Sequence, residues 1–184
     1  MTAVQGGHGR PLCVDLDGTL VRTDLLYESL LRMIGSRPWM VLLLPFWLLR
    51  GKAHLKQRLA AFGCGDPALL PYDPRVLALL ESNTDRPRVL CTASDVTLVA
   101  PIAAHLGLFD AGYCSDGTRN LAGARKAELL VSLYGERGFD YVANAGVDTA
   151  IWKHARAAWV VNGGNGVARA AAVVTRVEAH WPAE

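Results

Sequence analysis

The spacing of apolar side chains switches between two periods along this chain, which predicts strands separated by helices. Residues 10–18 form a short apolar run that ends in Asp and Gly, and such a run is typical of a central strand buried on both faces. Residues 25–34 place apolar side chains at helical spacing, and residues 38–60 extend a helix-rich stretch that glycines and prolines interrupt. The remaining pattern predicts, in order, a loop over 63–74, a helix over 75–82, a strand over 87–94, a helix over 96–108, a strand and turn over 109–117, a helix over 123–138, a strand over 139–146, a helix over 148–158, a strand over 159–162 and a last helix over 167–180.

Strands that alternate with helices in this way predict a Rossmann-like α/β fold with a parallel sheet and crossover helices. The residues between Thr19 and the strand at 87–94 are mostly helical, and they are too many for an ordinary strand-to-helix loop. We therefore predict a small helical cap inserted after the first strand. Residues 21–85 would form this cap, and residues 1–20 and 86–184 the core domain.

Composition and charge exclude several classes of protein. Of the 184 residues, 51% are apolar and 20% are charged, which is typical of a globular protein. The formal net charge of +2 is too small to indicate binding to nucleic acid, so we expect no nucleic-acid partner. Residues 1–11 lack the apolar core of a signal peptide, and the apolar run 38–49 contains Pro45 and is shorter than the roughly 20 residues of a membrane span. The cysteines lack metal-site spacing, so we expect reduced thiols in a cytoplasmic protein: Cys13, Cys64, Cys91 and Cys114.

Polar side chains follow the ends of several predicted strands. Asp15 and Asp17 lie two positions apart, so in an extended segment they point to the same side and repel each other unless a cation or a shared proton compensates. Thr92 and Ser94 end the second strand, and residues 144–148 follow the strand FDYV. Because ligands of parallel sheets bind beyond the carboxyl ends of the strands, we expect these side chains to face one crevice.

These residue types suit the chemistry of a phosphate ester with Mg²⁺. Magnesium prefers hard oxygen ligands, which Asp15 and the loop after FDYV can supply. One carboxylate can attack phosphorus to give an aspartyl-phosphate, and a second can protonate the leaving oxygen and later activate water. The hydroxyl of Thr92 and the ammonium of Lys126 can neutralise charge on the phosphoryl oxygens.

The segments DLDGT, LCTAS, GARKAELL and YVANAGVD, in this order, resemble the four motifs of the haloacid dehalogenase (HAD) superfamily of phosphohydrolases. The resemblance extends from about Pro11 to Asn162. It implies the HAD-like fold, hydrolysis of a phosphomonoester through an aspartyl-phosphate, and Mg²⁺ as the cofactor. The roles that it implies are a nucleophile at Asp15, a general acid/base at Asp17, phosphoryl contacts from Thr92 and Lys126, metal ligands at Asp15, the main-chain oxygen of Asp17, Asn144 and Asp148, and substrate contacts from Gly18, Thr19 and Ser94.

Longer segments are similar to the HAD domain fused ahead of UbiA-type prenyltransferases: DLDGTLVRTDLLYESLLR, LLLPFWLLRGKAHLKQRLA, SDGTRNLAG and GFDYVANAGVDTAIW. This resemblance implies a prenyl- or polyprenyl-linked phosphosugar as the substrate. It also implies a UbiA-type membrane prenyltransferase as a partner and a place at the inner face of the membrane. Whether the chain is a free protein or a domain of a fusion stays open.

The fourth motif departs from the family pattern, and the departure keeps other functions open. The family usually has Gly-Asp or Gly-Asn followed by Ser, whereas this chain has Ala143, Asn144 and Ala145. A neutral Asn144 should weaken Mg²⁺ binding, so one alternative is a catalytically silent HAD domain that docks on or regulates a membrane prenyltransferase. Another alternative is a phosphatase of a small soluble metabolite.

Several residues also have simpler interpretations. Thr92 alone is as often a turn or helix N-cap residue, Lys126 alone is more often a solvated helix lysine, and Asp148 can cap the helix 148–158. The sequence NGGNG at 162–166 lacks the complete nucleotide-binding fingerprint, and it predicts a flexible turn.

The stretch 37–58 combines aromatic and cationic side chains and has two interpretations. It either packs its apolar face on the core or on a neighbouring subunit, or it contacts a membrane interface or a lipid-phosphate head group. The residues concerned are Trp39, Phe46 and Trp47 together with Arg37, Arg50, Lys52, Lys56 and Arg58.

Overall fold

The computed structural model describes residues 9–116 and 120–183. Within these residues six strands form one sheet in the order β3-β2-β1-β4-β5-β6, and all pairs are parallel. The strands are β1 (Leu12–Val14), β2 (Arg88–Asp95), β3 (Ala111–Ser115), β4 (Asp140–Ala143), β5 (Ala157–Val161) and β6 (Arg176–Trp181). The helices are α1 (Leu25–Ser36), α2 (Leu44–Leu49), α3 (Lys52–Ala60), α4 (Pro74–Glu81), α5 (Val96–Leu106), α6 (Ala124–Tyr134), α7 (Thr149–Trp152) and α8 (Asn165–Val174), and short 3₁₀ helices cover Pro38–Leu43, Pro67–Leu69 and Gly146–Asp148. The predicted Rossmann-like parallel sheet, with helices inserted after the first strand, is confirmed.

Strand β1 lies in the middle of the sheet. Its Cys13 aligns with Val89 of β2 on one side and with Tyr141 of β4 on the other. The chain runs outward from β1 through β2 to β3 and then crosses to β4 on the opposite side. The strand order therefore reverses at β1, which is where ligands bind in open parallel sheets.

The two faces of the sheet carry separate hydrophobic clusters, as the alternation of side chains along a strand requires. Cys13 packs on one face with side chains of α6, α7 and α8, including Leu130 and Trp152. Its neighbours Leu12 and Val14 pack on the other face with side chains of α4 and α5. Helices on both faces therefore bury β1 completely.

The helices α1, α2 and α3 share a small core of their own, built from Met33, Met40, Trp47 and Leu59. Asp24 begins α1, because its side chain accepts hydrogen bonds from the amides of Leu26 and Tyr27. Helix α4 instead packs against the sheet through Val76 and Leu80. The division into a core domain and a cap over 21–85 stays a prediction.

Two predicted elements at the C-terminal end are wrong. The helix predicted over 148–158 is one short turn, α7, and β5 already begins at Ala157. The last helix, predicted over 167–180, ends at Val174, and β6 follows it as an edge strand beside β5. Residues 176–181 alternate charged and apolar side chains at period two, which suits a strand with one face in solvent.

The remaining expectations from the sequence concern the cysteines, a membrane span and the N-terminal residues. The four cysteines are free thiols. No helix within the described residues has the length and apolar character needed to cross a bilayer. Residues 1–8, on which most of the signal-peptide expectation rests, and residue 117, which ends the predicted strand and turn, lie outside the described residues.

Candidate functional site

The site begins where the backbone leaves β1. The amide of Asp15 still donates to the carbonyl oxygen of Val142 on β4, at 3.0 Å, so the position of Asp15 is tied to the sheet. Gly18 follows with a φ of +71°, and a Cβ at this residue would lie 2.2 Å from Nδ2 of Asn144. Both the left-handed backbone and the close approach of Asn144 require glycine here.

Asp15 forms an ion pair with a buried lysine. Nζ of Lys126 on α6 lies 2.9 Å from Oδ1 of Asp15 and 2.9 Å from the hydroxyl oxygen of Tyr141, and the lysine side chain is only 3% exposed. Burial alone would lower the pKa of Lys126, but the nearby negative charges, that of Asp15 first, and the hydrogen bond to Asp15 together raise that pKa above the usual value. The lysine is therefore cationic beside Asp15, and the interpretation of Lys126 as a solvated helix lysine is wrong.

Tyr141 connects this ion pair to Asp148. Its hydroxyl also favours the ionised form of the Asp148 carboxylate, which accepts a hydrogen bond from the amide of Ala145 at 3.1 Å. Burial and the negative charge of Asp15 raise the pKa of Asp148 to about 7. The negative charge of Asp15 therefore disfavours ionisation of Asp148, and the positive charge of Lys126 opposes this effect only in part.

Asp17 occupies a different polar environment. Its Oδ1 accepts a hydrogen bond from the amide of Leu25 at 2.9 Å, and its Oδ2 accepts one from Oγ of Ser94 at 2.5 Å. Oγ1 of Thr92 lies 3.4 Å from the same Oδ2 and accepts a hydrogen bond from the amide of Ser94. Burial raises the pKa of Asp17, although the hydrogen bond from Ser94 opposes that rise. Asp17 is thus held at both oxygens and is easier to protonate than a solvated aspartate.

Among the described residues, the hydroxyl of Thr19 takes no part in the hydrogen bonds around Asp15 and Asp17. Its side chain is fully buried, and its Oγ1 has no hydrogen-bond partner within residues 9–116 and 120–183. The predicted substrate contact of Thr19 stays a prediction.

A second hydrogen-bond network, which the sequence did not indicate, supports the loop after β1 at the carbonyl oxygen of Gly18. Nδ2 of Asn162 donates to the carbonyl oxygen of Gly18 at 3.0 Å and to Oδ2 of Asp73 at 3.2 Å. Nη2 of Arg75 reaches the same Oδ2 at 2.6 Å and Oδ1 of Asn162 at 2.8 Å. Burial alone would raise the pKa of Asp73, but the hydrogen bonds from Arg75 hold it well below its usual range.

These contacts change the interpretation of NGGNG. Asn162 has a φ of +56°, and Asn165 and Gly166 belong to α8, so the turn predicted over 162–166 covers only residues 162–164 and is held by the hydrogen bonds of Asn162. In the sequence, an asparagine followed by two glycines at the end of the predicted strand 159–162 indicates at most a left-handed turn residue, and it does not indicate the contact with Gly18. The cavity beside this contact has a volume of about 340 Å³, and Gly18, Asn144 and Asn162 are among its lining residues.

The predicted metal ligands form a sparse donor set. Among the residues that the structure describes, no group of three or more His, Cys, Asp or Glu side chains is gathered as a metal site. Asp15 and Asp148 supply carboxylates that lie close enough to repel each other, and Asn144 lies against Gly18 in the adjacent loop. Every donor is an oxygen of the kind that Mg²⁺ prefers, and the repulsion between the carboxylates is one that a cation would relieve, so this donor set fits a magnesium ion.

No protein-family profile matches the chain. An uncharacterized protein, y4nM of Sinorhizobium fredii, is 36% identical over 157 residues, which are 84% of this chain and 30% of that protein. The chain therefore spans less than a third of the length of this curated relative.

Solved structures identify the fold. A phosphoserine phosphatase in its apo form has a TM-score of 0.60 at 12% identity and covers 95% of this chain and 94% of its own. A phospho-aspartyl intermediate analogue of phosphoserine phosphatase has a TM-score of 0.60 at 11% identity, with 96% and 94% covered. L-2-haloacid dehalogenase from Xanthobacter autotrophicus has a TM-score of 0.55 at 15% identity, with 87% and 80% covered. This chain therefore shares its fold with these phosphoserine phosphatase structures and with L-2-haloacid dehalogenase.

Proposed function

We propose that this chain hydrolyses phosphomonoesters with the help of Mg²⁺ and through an aspartyl-phosphate on Asp15. The observation that carries the proposal is the carboxylate of Asp15 at the end of the central strand, held 2.9 Å from the ammonium of the buried Lys126. Asp17, two residues away, has a raised pKa. A nucleophilic carboxylate, a fixed cation and a protonatable acid are the groups that phosphoryl transfer through an enzyme ester needs. The HAD fold and its phosphatase neighbours support the same reaction class.

The metal would be held by oxygen atoms. We propose the carboxylates of Asp15 and Asp148, the side-chain oxygen of Asn144 and the main-chain oxygen of Asp17 as its protein ligands. When bound, Mg²⁺ would neutralise negative charge on the phosphate and on the carboxylates so that they can approach each other.

The protein groups divide the reaction into two steps. In the first step a carboxylate oxygen of Asp15 attacks phosphorus, the bond from phosphorus to the ester oxygen breaks, and protonated Asp17 gives its proton to that oxygen. In the second step ionised Asp17 takes a proton from water while the water oxygen attacks phosphorus, which breaks the bond to Asp15 and releases phosphate. Lys126 and Thr92 would stabilise the charge on the phosphoryl oxygens. Ser94 would hold Asp17 in position, and Gly18 and Thr19 would shape the loop beside the substrate.

Hydrolysis of p-nitrophenyl phosphate with and without Mg²⁺ tests this proposal. We expect Mg²⁺-dependent turnover that Asp15→Asn lowers by about a thousandfold or more, because the nucleophile is lost. The control is Asp66→Asn, an exposed residue whose side chain accepts a hydrogen bond from the amide of Ala68, a role that asparagine retains. Labelling by beryllium fluoride should follow the same pattern. If the wild-type protein shows neither turnover nor beryllium fluoride binding, the proposal is wrong and a silent docking or regulatory domain takes its place.

For the substrate we propose a phosphate on a prenyl- or polyprenyl-linked phosphosugar. An apolar groove of about 520 Å³ runs between α1, α2 and α3, with Leu26, Leu48 and Leu59 in its wall and Asp24 at its edge. The amide of the next residue, Leu25, hydrogen-bonds Asp17, so the groove extends from close to the proposed acid. This position suits an apolar leaving group.

A substrate panel separates the remaining functions. Faster turnover of a prenyl phosphate than of phosphoserine supports a lipid-linked substrate, whereas the reverse supports a small soluble metabolite. A UbiA-type membrane prenyltransferase as the partner stays a hypothesis that follows from the sequence resemblance.

A further inference from the structure

The helical run 38–49 contains no polar residue, yet one of its faces lies in solvent. Trp39, Leu42, Phe46 and Leu49 are 62%, 75%, 65% and 85% exposed. Their spacing of three, four and three residues places them on one stripe, while Met40 and Trp47 on the opposite side are buried against α1 and α3. A helix that faces only water has polar side chains in this position. We call these four side chains the exposed stripe.

Helix α1 adds a second row of exposed apolar side chains. Tyr27, Leu31 and Ile34 are all exposed, and their spacing of four and three residues again defines one helical face. Val41 and Leu48 of the run 38–49 are exposed as well. Within the described residues, the remaining exposed large apolar side chains are separated along the chain: Leu69, Val96, Leu133, Val147 and Val173. Exposed apolar side chains are thus concentrated on the helices between β1 and β2, and such a concentration marks an interaction surface.

The charge of the same region limits what can bind there. Residues 25–60 carry six of the chain's 19 Lys and Arg residues but only one of its 17 Asp and Glu residues. Arg37 precedes the apolar run, and Arg50 and Lys52 follow it; all three are exposed. The partner must therefore offer an apolar interior and an anionic surface at the same time.

We propose that the exposed stripe binds to the surface of an anionic lipid bilayer. Trp, Phe and Leu on one helical face with cations at both ends is the composition of helices that lie in the plane of a membrane interface. The stripe would enter the boundary between head groups and acyl chains, and Arg37, Arg50 and Lys52 would contact lipid phosphates. This inference does not depend on the proposed phosphatase activity, because none of these residues belongs to the catalytic site.

Vesicle co-sedimentation with matched variants tests the proposal. Leu42→Ser/Leu49→Ser removes two side chains that make little contact with the fold, so the variant should unfold at the wild-type temperature. The control Leu69→Ser/Val173→Ser changes side chains that are 83% and 85% exposed elsewhere on the surface. We expect wild type and control to sediment with phosphatidylcholine–phosphatidylglycerol vesicles at low salt, and the stripe variant to bind at least about tenfold more weakly. Pure phosphatidylcholine vesicles and high salt should each weaken wild-type binding.

The position of the stripe in the bilayer gives a second measurement. Brominated lipids should quench tryptophan emission of the bound wild type, and Trp39→Phe should remove most of this quenching. Absence of wild-type binding to the anionic vesicles, equal binding of the stripe variant, or unchanged quenching in Trp39→Phe would each overturn the proposal. If light scattering instead shows a dimer that Leu42→Ser/Leu49→Ser converts to a monomer, and no lipid binds, the stripe is an interface between copies of this chain.

Discussion

The hydroxyl of Tyr141 can be removed without changing the shape of the core, and the consequence can be worked out from its contacts. The side chain is fully buried, its hydroxyl accepts a hydrogen bond from Nζ of Lys126 at 2.9 Å, and the same hydroxyl lowers the pKa of Asp148. Tyr141→Phe keeps the ring in the hydrophobic cluster on its face of the sheet. It removes one hydrogen bond of Lys126 and the favourable effect of the hydroxyl on ionised Asp148. The substitution therefore isolates the connection between the Asp15–Lys126 ion pair and Asp148.

The expected cost is moderate because each partner keeps another contact. Lys126 retains Asp15, and Asp148 retains the amide of Ala145. A buried polar group that loses one partner costs about 1–3 kcal/mol, so we expect Tyr141→Phe to lower the free energy of unfolding by about 2 kcal/mol. In a chain of this length that corresponds to a fall in Tm of about 4–8 °C. Because Lys126 then holds Asp15 less firmly, kcat should fall about 10- to 100-fold while KM changes little.

Urea denaturation and steady-state hydrolysis of p-nitrophenyl phosphate measure the two effects in the same preparation. The control is Tyr27→Phe, since the Tyr27 hydroxyl is on an exposed side chain and its removal should change neither quantity. A Tyr141→Phe protein with wild-type stability and wild-type kcat would show that this hydroxyl carries no structural or positioning role, and the description of a connected site would be wrong.

Three further substitutions test other parts of the site. Gly18→Ala should lower the free energy of unfolding by about 1–2 kcal/mol from backbone strain, and it should reduce activity because the new methyl displaces Asn144. Calorimetry measures the stability and the hydrolysis assay the activity. A variant with wild-type stability and activity contradicts the close approach of Asn144. Asp73→Asn should lower the free energy of unfolding by about 2 kcal/mol at pH 7. Because hydrogen bonds from Arg75 hold the pKa of Asp73 below its usual value, this loss of stability should be complete above about pH 4 and shrink as the pH falls. A loss that does not change with pH refutes this. Asp17→Asn should abolish turnover and raise the free energy of unfolding at pH 8 by roughly 0.5–2 kcal/mol. The gain in stability arises because burial raises the pKa of Asp17, so that its ionisation destabilises the folded state. This gain should vanish below about pH 4.

The first strand, its aspartates and the tight turn that follows could be predicted from the sequence, because these features depend on residues that are neighbours in the chain. An apolar run that ends in two aspartates and a glycine describes a buried strand followed by a tight turn, and the structure has β1 and the left-handed Gly18 there. Thr92 and Ser94 could likewise be assigned to a strand end. The rule that polar residues meet beyond the carboxyl ends of parallel strands then brings Asp17 and Ser94 to within 2.5 Å of each other.

Tyr141 and Asn162 could not be predicted, because their roles depend on which strands are neighbours. A tyrosine within an apolar strand predicts only a core residue, and its hydroxyl acquires a role because β4 pairs with β1 and α6 carries Lys126 across the same face. An asparagine before two glycines predicts only a turn. It reaches the carbonyl oxygen of Gly18 because β5 follows β4 in the sheet.

The same dependence on strand neighbours explains why two separate hydrogen-bond networks support the loop that follows β1. Strand β1 lies between β2 and β4, so Asp17 receives its hydroxyl donor from β2. Asp15 bonds Lys126, which in turn bonds Tyr141 on β4. The carbonyl oxygen of Gly18 lies beyond both, and only the next strand, β5, can reach it, through Asn162. Asp15, Asp17 and Gly18 are therefore held from the sides of β4, β2 and β5, respectively. Substitutions in one network should leave the other intact, so the stability losses of Tyr141→Phe and Asp73→Asn should add in the double variant.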